Sequence, residues 1–412
     1  MRFFPPAFAA LTALGALTMT ATALHAQAAA TLPAARPQLP KGADSNDVSM
    51  YLLEGSRLLQ RNPAKAASYF RWAAGLDPQN PEAPYGERVA ILLADRNRLL
   101  YYWRGDAKTR ELPDIKRADS LQTLALTRAP LFFRRYDRML LSAYFEAAMQ
   151  RTARGSGMSG EDESELKYEM AKWINSAEAP AYLRAWFAYS DGDFRRAVQL
   201  YGEALAKARA GERGELLAER ARSFAHMGAN DSAIATFRAS MAADSASDAE
   251  RLVFALRSRA QMEHVLGALF EAQGDTAGAH AAYERALTEN LGYFPAHVAL
   301  GAMAYERGDT AMARHELGEA VQIAGDDPST RYTYGLVLAT TGSVAEGVTE
   351  LLKAIQLAPQ WAEPHLLLAR LHDAAEMREE AIPFWRGFLE RAPDRHPAHA
   401  MAVQRLSATA AR

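Results

Sequence analysis

Three histidines stand in patterns that could bind a metal ion. His315 and Glu316 open the stretch His-Glu-Leu-Gly-Glu, which begins like the helix of a zinc protease. Its fifth residue is Glu319, whereas a zinc site of this kind needs a second histidine there. We interpret the stretch as the exposed face of a helix. His396 and His399 form the other pair, and because no carboxylate cluster stands nearby in the sequence, we interpret them as solvated.

Other catalytic patterns are missing from the sequence. It has no Gly-x-x-x-x-Gly-Lys phosphate loop and no Gly-x-Gly-x-x-Gly after a strand pattern. Ser159, between Gly157 and Gly160, lacks the spacing of a nucleophile elbow. The 412 residues include no cysteine, which excludes thiol nucleophiles, cysteine-ligated zinc, iron–sulfur clusters, disulfide bonds and a lipid anchor on an N-terminal cysteine. We predict that the protein is not an enzyme and has no cofactor and no metal site.

The charge balance limits the classes of partner. The chain carries 47 basic and 49 acidic side chains, a net charge of −2, whereas proteins that wrap nucleic acid or coat anionic membranes depend on a basic excess. Basic and aromatic residues do interleave over 96–110 and 128–138. Because Asp95, Asp106 and Asp137 stand among them, we interpret these stretches as aromatic stripes on amphipathic helices. We expect protein partners and no nucleic acid.

The first residues have the pattern of a secretory signal, which we place at 1–28. Arg2 supplies a positive start, an apolar stretch follows, and Ala26-Gln27-Ala28 fits the small-x-small pattern of a cleavage site. The apolar stretch is shorter than the roughly 20 residues of a membrane-spanning helix, although an uncleaved anchor is the alternative. Cleavage after Ala26 or Ala28 gives an exported chain, periplasmic or extracellular, without an integral membrane span. Residues 29–43, with three prolines, are expected to form an extended tether.

A repeat runs through the second half of the chain. Turn residues recur at intervals of mostly 34 residues, at Gly192, Gly228, Gly274, Gly308, Gly342 and, less well, Glu376. Seven residues before each turn stands a small residue: Ala185, Ala221, Gly267, Gly301, Gly335 and Ala369. Nine residues after it stands a large one: Tyr201, Phe237, Tyr283, Leu317, Leu351 and Trp385. Small residues at fixed places let two helices approach closely, so each unit is predicted to be a helical hairpin closed at its turn.

These positions resemble the tetratricopeptide repeat family. The 34-residue period and the small and large positions carry the resemblance, as does Pro359 after Leu351-Leu-Lys-Ala-Ile-Gln-Leu-Ala. It covers residues 180–394 as six units and residues 44–80 as a separate N-terminal unit, and 395–412 is expected to be a capping helix. The resemblance implies an all-α, right-handed solenoid whose first helices line a concave groove. It also implies a protein that binds other proteins.

Two parts of the chain depart from the repeat. About twelve extra residues precede Gly274, so we predict a first helix over 248–273 that is some three turns longer than its neighbours. Between Asn80 and Ala179 the repeat is lost, and we predict degenerate helical hairpins or a helical insert over 81–179. Within that part, Pro113 and the Ala129-Pro130 pair are expected to begin helices.

The resemblance also indicates which residues face the groove. The positions ten, six, three and two residues before each turn hold a mixture of aromatic, basic and acidic side chains, as protein-binding hot spots do. Our candidates for partner binding are Tyr182, Trp186, Tyr189, Arg222, His226, His264, Glu271, Tyr305, Glu306, Tyr332, Arg370 and Asp373. The expected function is a non-catalytic scaffold of the cell envelope that holds an extended peptide or a partner helix. A permanently docked accessory subunit of an envelope assembly or export machine is the alternative, followed by a ligand-binding or hydrolytic protein.

Overall fold

The computed structural model describes residues 35–103, 106–156, 159–174, 176–244 and 258–410. The predicted signal and part of the predicted tether lie outside these ranges. Within them, α-helix is the only regular structure, which confirms the all-α class. None of the helices in these ranges is long and apolar enough to span a membrane.

The described ranges contain 21 helices. In chain order they are α1 (Val48–Leu58), α2 (Pro63–Leu76), α3 (Glu82–Ala94), α4 (Arg96–Trp103), α5 (Ala107–Arg110), α6 (Pro113–Arg128), α7 (Asp137–Ser156), α8 (Gly160–Ile174), α9 (Ala181–Ser190), α10 (Phe194–Lys207), α11 (Ala210–His226), α12 (Asn230–Asp244), α13 (Arg259–Gln273), α14 (Thr276–Glu289), α15 (Phe294–Glu306), α16 (Thr310–Ile323), α17 (Pro328–Thr340), α18 (Val344–Leu357), α19 (Glu363–Ala374), α20 (Arg378–Arg391) and α21 (His399–Ala410).

The helices belong to two compact units. Unit 1 contains the chain up to Glu54, Ser68–Asn80 and the chain from Gly292 onwards. Unit 2 contains Gly55–Ala67 and Pro81–Leu291. Helices α1 and α2 therefore contribute residues to both units, α3 to α14 belong to unit 2, and α15 to α21 belong to unit 1.

The predicted repeat register is confirmed by the backbone at its turns. All six predicted turn residues have a positive φ, from 61° at Glu376 to 100° at Gly342. Each lies between the two helices of one hairpin, from α9–α10 through α19–α20. In three hairpins the aspartate after the turn glycine caps the second helix. Asp193, Asp275 and Asp309 each accept a hydrogen bond from the backbone N–H three residues later, at 2.8–3.0 Å.

The small and large positions of the repeat contact each other as predicted. A Cβ atom at position 267 would lie 2.3 Å from Cε1 of Tyr283, and one at position 301 would lie 2.7 Å from Cγ of Leu317. The glycines therefore make room for the large side chains of the following helix in the same hairpin. Side chains at the large positions are buried in every hairpin. This packing between first and second helices is the core of the array.

The prediction of an extended first helix over 248–273 is wrong. Helix α13 begins at Arg259, because Ser258 has an extended backbone and its hydroxyl accepts a hydrogen bond from the Gln261 N–H at 3.1 Å. At 15 residues the helix is no longer than α12 and shorter than α11. Residues 248–257 lie outside the described residues.

The middle part of the chain is helical, as expected, with one difference. Pro113 begins α6, but no helix begins at Ala129-Pro130. The chain from Ala129 to Tyr136, which we call the 129–136 segment, is irregular with turns at 130–131 and 135–136, and the next helix begins at Asp137. The reason is that its polar backbone groups bond to other helices of unit 2. Arg222 donates to two of its carbonyls, and the Tyr136 N–H donates to the Tyr85 hydroxyl at 2.9 Å.

Within unit 1, residues near the start of the chain pack against the end of the last hairpin. The Asn46 side chain donates to the backbone carbonyls of Glu390 and Ala392, at 3.0 and 3.3 Å. An ion pair of 2.7 Å joins Arg395 to Asp47. Orphan carbonyls at the end of α20 are thus satisfied by an amide side chain far away in sequence, which caps the helix as a local residue would.

Glu376 is the one described residue other than glycine with a positive φ, and this permits a test of the fold. We expect Glu376→Gly to raise the free energy of unfolding by about 1 kcal/mol, because an L-residue in the left-handed region is strained. The measurement is urea denaturation followed by circular dichroism. Glu376→Ala is the matched control, since it removes the charge and keeps the strain. Equal stability of the two variants would contradict the expectation.

Candidate partner-binding faces

The twelve predicted partner-binding residues are divided between the two units. Seven lie on first helices of unit 2: Tyr182, Trp186, Tyr189, Arg222, His226, His264 and Glu271. Five lie on first helices of unit 1: Tyr305, Glu306, Tyr332, Arg370 and Asp373.

In unit 2, a cluster of the predicted residues contacts the chain itself. We call Tyr189, Phe194, Glu219, Arg222 and His226 the unit 2 inner face. Tyr189 is fully buried and Arg222 is 1% exposed, because the 129–136 segment covers them. The Arg222 guanidinium donates to the carbonyl oxygens of Pro130 and Phe132, at 3.0 and 3.3 Å. Tyr189, Arg222 and His226 therefore face an internal segment and not the open groove that was predicted, and Phe194 and Glu219, which were not predicted, join them.

Phe133 of the segment inserts its ring among three aromatic rings of this face. The ring centroids of Tyr189, Phe194 and His226 lie 5.7, 5.3 and 5.8 Å from that of Phe133, all in edge-to-face arrangements. The rings around it are also fixed against each other. The His226 ring stacks on Phe194 at 4.6 Å, and its Nε2 is 3.1 Å from the Tyr189 hydroxyl. Edge-to-face contacts of this kind add to the burial energy of an aromatic side chain.

Arg134 binds the same face through charge. Its Nη2 donates to both carboxylate oxygens of Glu219, at 2.7 and 2.8 Å, and its guanidinium lies 5.6 Å from the Tyr189 ring centroid. Its Nε forms an ion pair of 3.1 Å with Asp137. Burial opposes the charge of Arg134, but these two carboxylates hold its pKa well above the usual value. Tyr85 completes the cluster by donating to Asp137 at 2.8 Å, and burial followed by this carboxylate raises the pKa of Tyr85.

Burial lowers the pKa of two histidines of unit 2, the half-buried His226 and the buried His264. Burial, followed by the charges of Arg222 and Arg134, lowers the pKa of His226 to about 4. Burial alone lowers the pKa of His264 to about 4. The His264 ring contacts Tyr283 edge-to-face, and the Tyr283 hydroxyl donates to Glu271 at 2.8 Å. His264 is thus a core residue of its hairpin, which corrects its prediction as a groove residue.

Other predicted residues remain accessible in unit 2. Tyr182 is 45% exposed, and Trp186 is half-buried against a small cluster that includes Leu141 and Phe187. Glu271 is exposed, although its carboxylate is bonded to Tyr283.

In unit 1 the predicted residues differ in their contacts within the chain and in their exposure. Asp373 accepts a hydrogen bond from Trp385 Nε1 at 3.1 Å and is 3.4 Å from Arg405 Nε, so it is a structural residue. The Tyr332 ring lies 4.8 Å from that of Trp361, and burial raises the pKa of its hydroxyl. Glu306 is exposed, and Tyr305 and Arg370 are half-buried.

The histidine patterns do not form a metal site within the described residues, where no group of three suitable side chains could hold an ion. His315 is exposed, whereas Glu316 pairs with His297 Nδ1 at 2.7 Å. His396 Nε2 is 3.0 Å from Glu363, and its Nδ1 accepts a hydrogen bond from the Ala398 N–H. His396 therefore has protein partners for both ring nitrogens and is better described as part of the C-terminal packing than as solvated.

No family model matches the chain, and no curated protein matches it. Among solved structures, the C-terminal part of a TPR repeat-containing protein from Cytophaga hutchinsonii is 16% identical, with a TM-score of 0.43 over 51% of this chain and 78% of that one. The pilus biogenesis factor PilW is 15% identical, with a TM-score of 0.41 over 55% and 96%. YrrB, described as a TPR protein with an unusual peptide-binding site, is 17% identical, with a TM-score of 0.39 over 51% and 100%. The repeat assignment rests on the turns and the packing of this chain itself.

Proposed function

We propose that the chain is a non-catalytic scaffold of the cell envelope that binds polypeptide partners on the inner faces of its helical hairpins. The contact between the unit 2 inner face and the 129–136 segment carries the proposal. That face binds a non-helical stretch of chain through two of its main-chain carbonyls and two of its side chains. These are the contacts that a preformed groove makes with a peptide from another protein.

Each unit has accessible side chains among the residues predicted to bind a partner. In unit 1, Tyr305 and Glu306 stand together at the end of α15, and Arg370 stands on α19. In unit 2, Tyr182 and Trp186 are accessible on α9. Aromatic and arginine side chains that keep part of their surface in the free protein are the usual anchors of protein interfaces. The export of the chain, which the pattern of residues 1–28 predicts, would place this scaffold in the periplasm or outside the cell.

A permanently docked accessory subunit of an envelope machine is the second candidate. Helix α8 exposes two aromatic side chains, with Tyr168 68% and Trp173 38% exposed. Each of these side chains could be covered by a permanently bound protein. Stable co-purification that Trp173→Ala abolishes would favour this candidate over a scaffold that binds and releases its partner.

Site-specific crosslinking tests the proposed scaffold. A photoreactive phenylalanine at Tyr305 is expected to give discrete crosslinked products in the producing cells, because a partner would contact this helix. Ile323 is the control position, since it is 42% exposed and lies on α16, a second helix of the same unit. Mass spectrometry then identifies the partner. Equal product patterns from the two positions, or none from either, would count against partner binding at the first helices of unit 1.

A further inference from the structure

The contacts of the unit 2 inner face separate into general and selective ones. Arg222 bonds only to main-chain carbonyls of the 129–136 segment, which any sequence offers. The remaining residues contact two consecutive side chains, Phe133 and Arg134. Selectivity therefore resides in the sites for these two side chains.

The site for the second side chain has the chemistry that suits arginine better than lysine. Two different guanidinium nitrogens meet two carboxylates, since Nη2 donates to Glu219 and Nε lies 3.1 Å from Asp137, and Cζ lies over the Tyr189 ring, 5.6 Å from its centroid. A planar guanidinium can make these contacts together, whereas an ammonium group is a single point charge with stronger hydration. The site for the first side chain has three ring edges or faces and favours an aromatic residue.

The internal occupant has features of a bound peptide. It has no helical hydrogen-bond pattern, Phe133 keeps part of its surface in solvent, and the residue that follows the pair, Arg135, is exposed. Apart from Asp137 at the start of α7, the residues that hold the pair lie on α9, α10 and α11, more than fifty positions later in the sequence.

We infer that the unit 2 inner face is a recognition site for an aromatic residue followed by arginine in a non-helical polypeptide, and that Phe133 and Arg134 occupy it as a tethered ligand. This inference rests on the proposed function and names the class of partner that such a face would accept. A partner segment carrying the same pair would bind by taking the place of the internal one.

The test removes the internal pair and supplies it as a separate molecule. The full-length mature chain with Phe133→Ala and Arg134→Ala is titrated with N-acetyl-phenylalanyl-arginine amide while its thermal unfolding is followed by circular dichroism. A ligand that binds the native state alone raises the midpoint, and we expect a saturable rise of about 2 °C or more. The parent chain, whose site is filled, is expected to show no rise. If the variant is unfolded alone, a saturable recovery of helical signal is the same result.

A milder variant and two control peptides make the outcome specific. Phe133→Ala with Arg134→Gln keeps a polar side chain near Glu219 and Asp137, and it is titrated in the same way. N-acetyl-phenylalanyl-lysine amide and N-acetyl-alanyl-arginine amide are expected to bind at least about tenfold more weakly, since each lacks one of the two selective contacts. Adding Glu219→Gln to either variant is expected to abolish the response.

The absence of a saturable response in both variants would overturn the inference, as would equal responses to the three peptides. Crosslinking from Tyr305 in unit 1 does not depend on this site. Failure of the peptide titration with crosslinks intact therefore removes the recognition site and leaves the scaffold. Success of the titration without crosslinks supports the recognition site and removes the binding role of unit 1.

Discussion

Replacing Arg134 with alanine is expected to lower the free energy of unfolding by about 3–5 kcal/mol, the cost of breaking a buried charge cluster from one side. Arg134 is 3% exposed, and the side chains of Asp137 and Glu219 are 1% and 11% exposed. Without the guanidinium, both carboxylates would remain in the interior with no opposing charge at 2.7–3.1 Å. The Tyr85 hydroxyl would still donate to Asp137, but one neutral hydrogen bond does not replace an ion pair.

Arg135 is the matched control for this substitution. It is the next residue along the same segment, its side chain is 45% exposed, and its ion pair with Glu82 is near solvent. Arg135→Ala is expected to cost less than about 1 kcal/mol, because exposed ion pairs contribute little. Denaturation in urea near pH 7, followed by circular dichroism, measures both variants.

A combined variant separates the loss of charge balance from the loss of packing. Arg134→Met with Glu219→Met and Asp137→Asn removes all three charges and is expected to be more stable than Arg134→Ala, since no carboxylate is left unpaired. Similar losses for Arg134→Ala and Arg135→Ala would show that the cluster does not hold the 129–136 segment in place.

The repeat could be predicted from the sequence because its causes are local and periodic. A left-handed turn residue, a small residue seven positions earlier and a large one nine positions later are all within one hairpin. The pattern was strong enough to place the turn at Glu376, which has a positive φ of 61° without being glycine. The prediction of an extended first helix failed because the number of residues between two turns does not show where a helix begins. Here Ser258 caps the helix and sets its start at Arg259.

The 129–136 segment could not be predicted, because its structure depends on distant residues. Pro130 after an alanine resembles a helix start, and nothing near it in sequence indicates that Arg222 will bond to its carbonyl. The register correctly put Tyr189, Arg222 and His226 on first helices, where the structure brings them together around Phe133. The repeat register carries no information on which part of the chain covers these three residues. Arg134 lies in irregular chain, so no periodic pattern in the sequence indicates that its side chain is buried.

Acidification is also expected to lower the free energy of unfolding by a large amount, and His264 is the main residue responsible. This side chain is 6% exposed, and burial lowers its pKa to about 4 from the usual 6.5. Between those two values the unfolded chain binds a proton at this position and the folded chain does not. Stability rises with pH wherever the unfolded state binds more protons, so the free energy of unfolding is lost as the pH falls through this window. Above about pH 6.5 both states are neutral at this residue, and it gives no pH dependence.

The size of this loss of stability follows from how far the pKa of His264 is lowered. Each unit of pKa corresponds to about 1.4 kcal/mol, so His264 accounts for a loss of about 3 kcal/mol between about pH 6.5 and pH 4, and His226 adds a smaller, solvent-screened loss of the same sign. Carboxylates also begin to titrate in the lower part of this range, so the difference between variants is the informative quantity.

His264→Gln cannot bind the proton, and its free energy of unfolding is expected to fall less steeply between about pH 6.5 and pH 5 than that of the parent. His315→Gln, the same substitution at an exposed position, is measured alongside as the reference variant. Parallel curves for the parent and His264→Gln would mean that His264 takes up its proton as readily in the folded chain as in the unfolded one, which its burial against Tyr283 argues against.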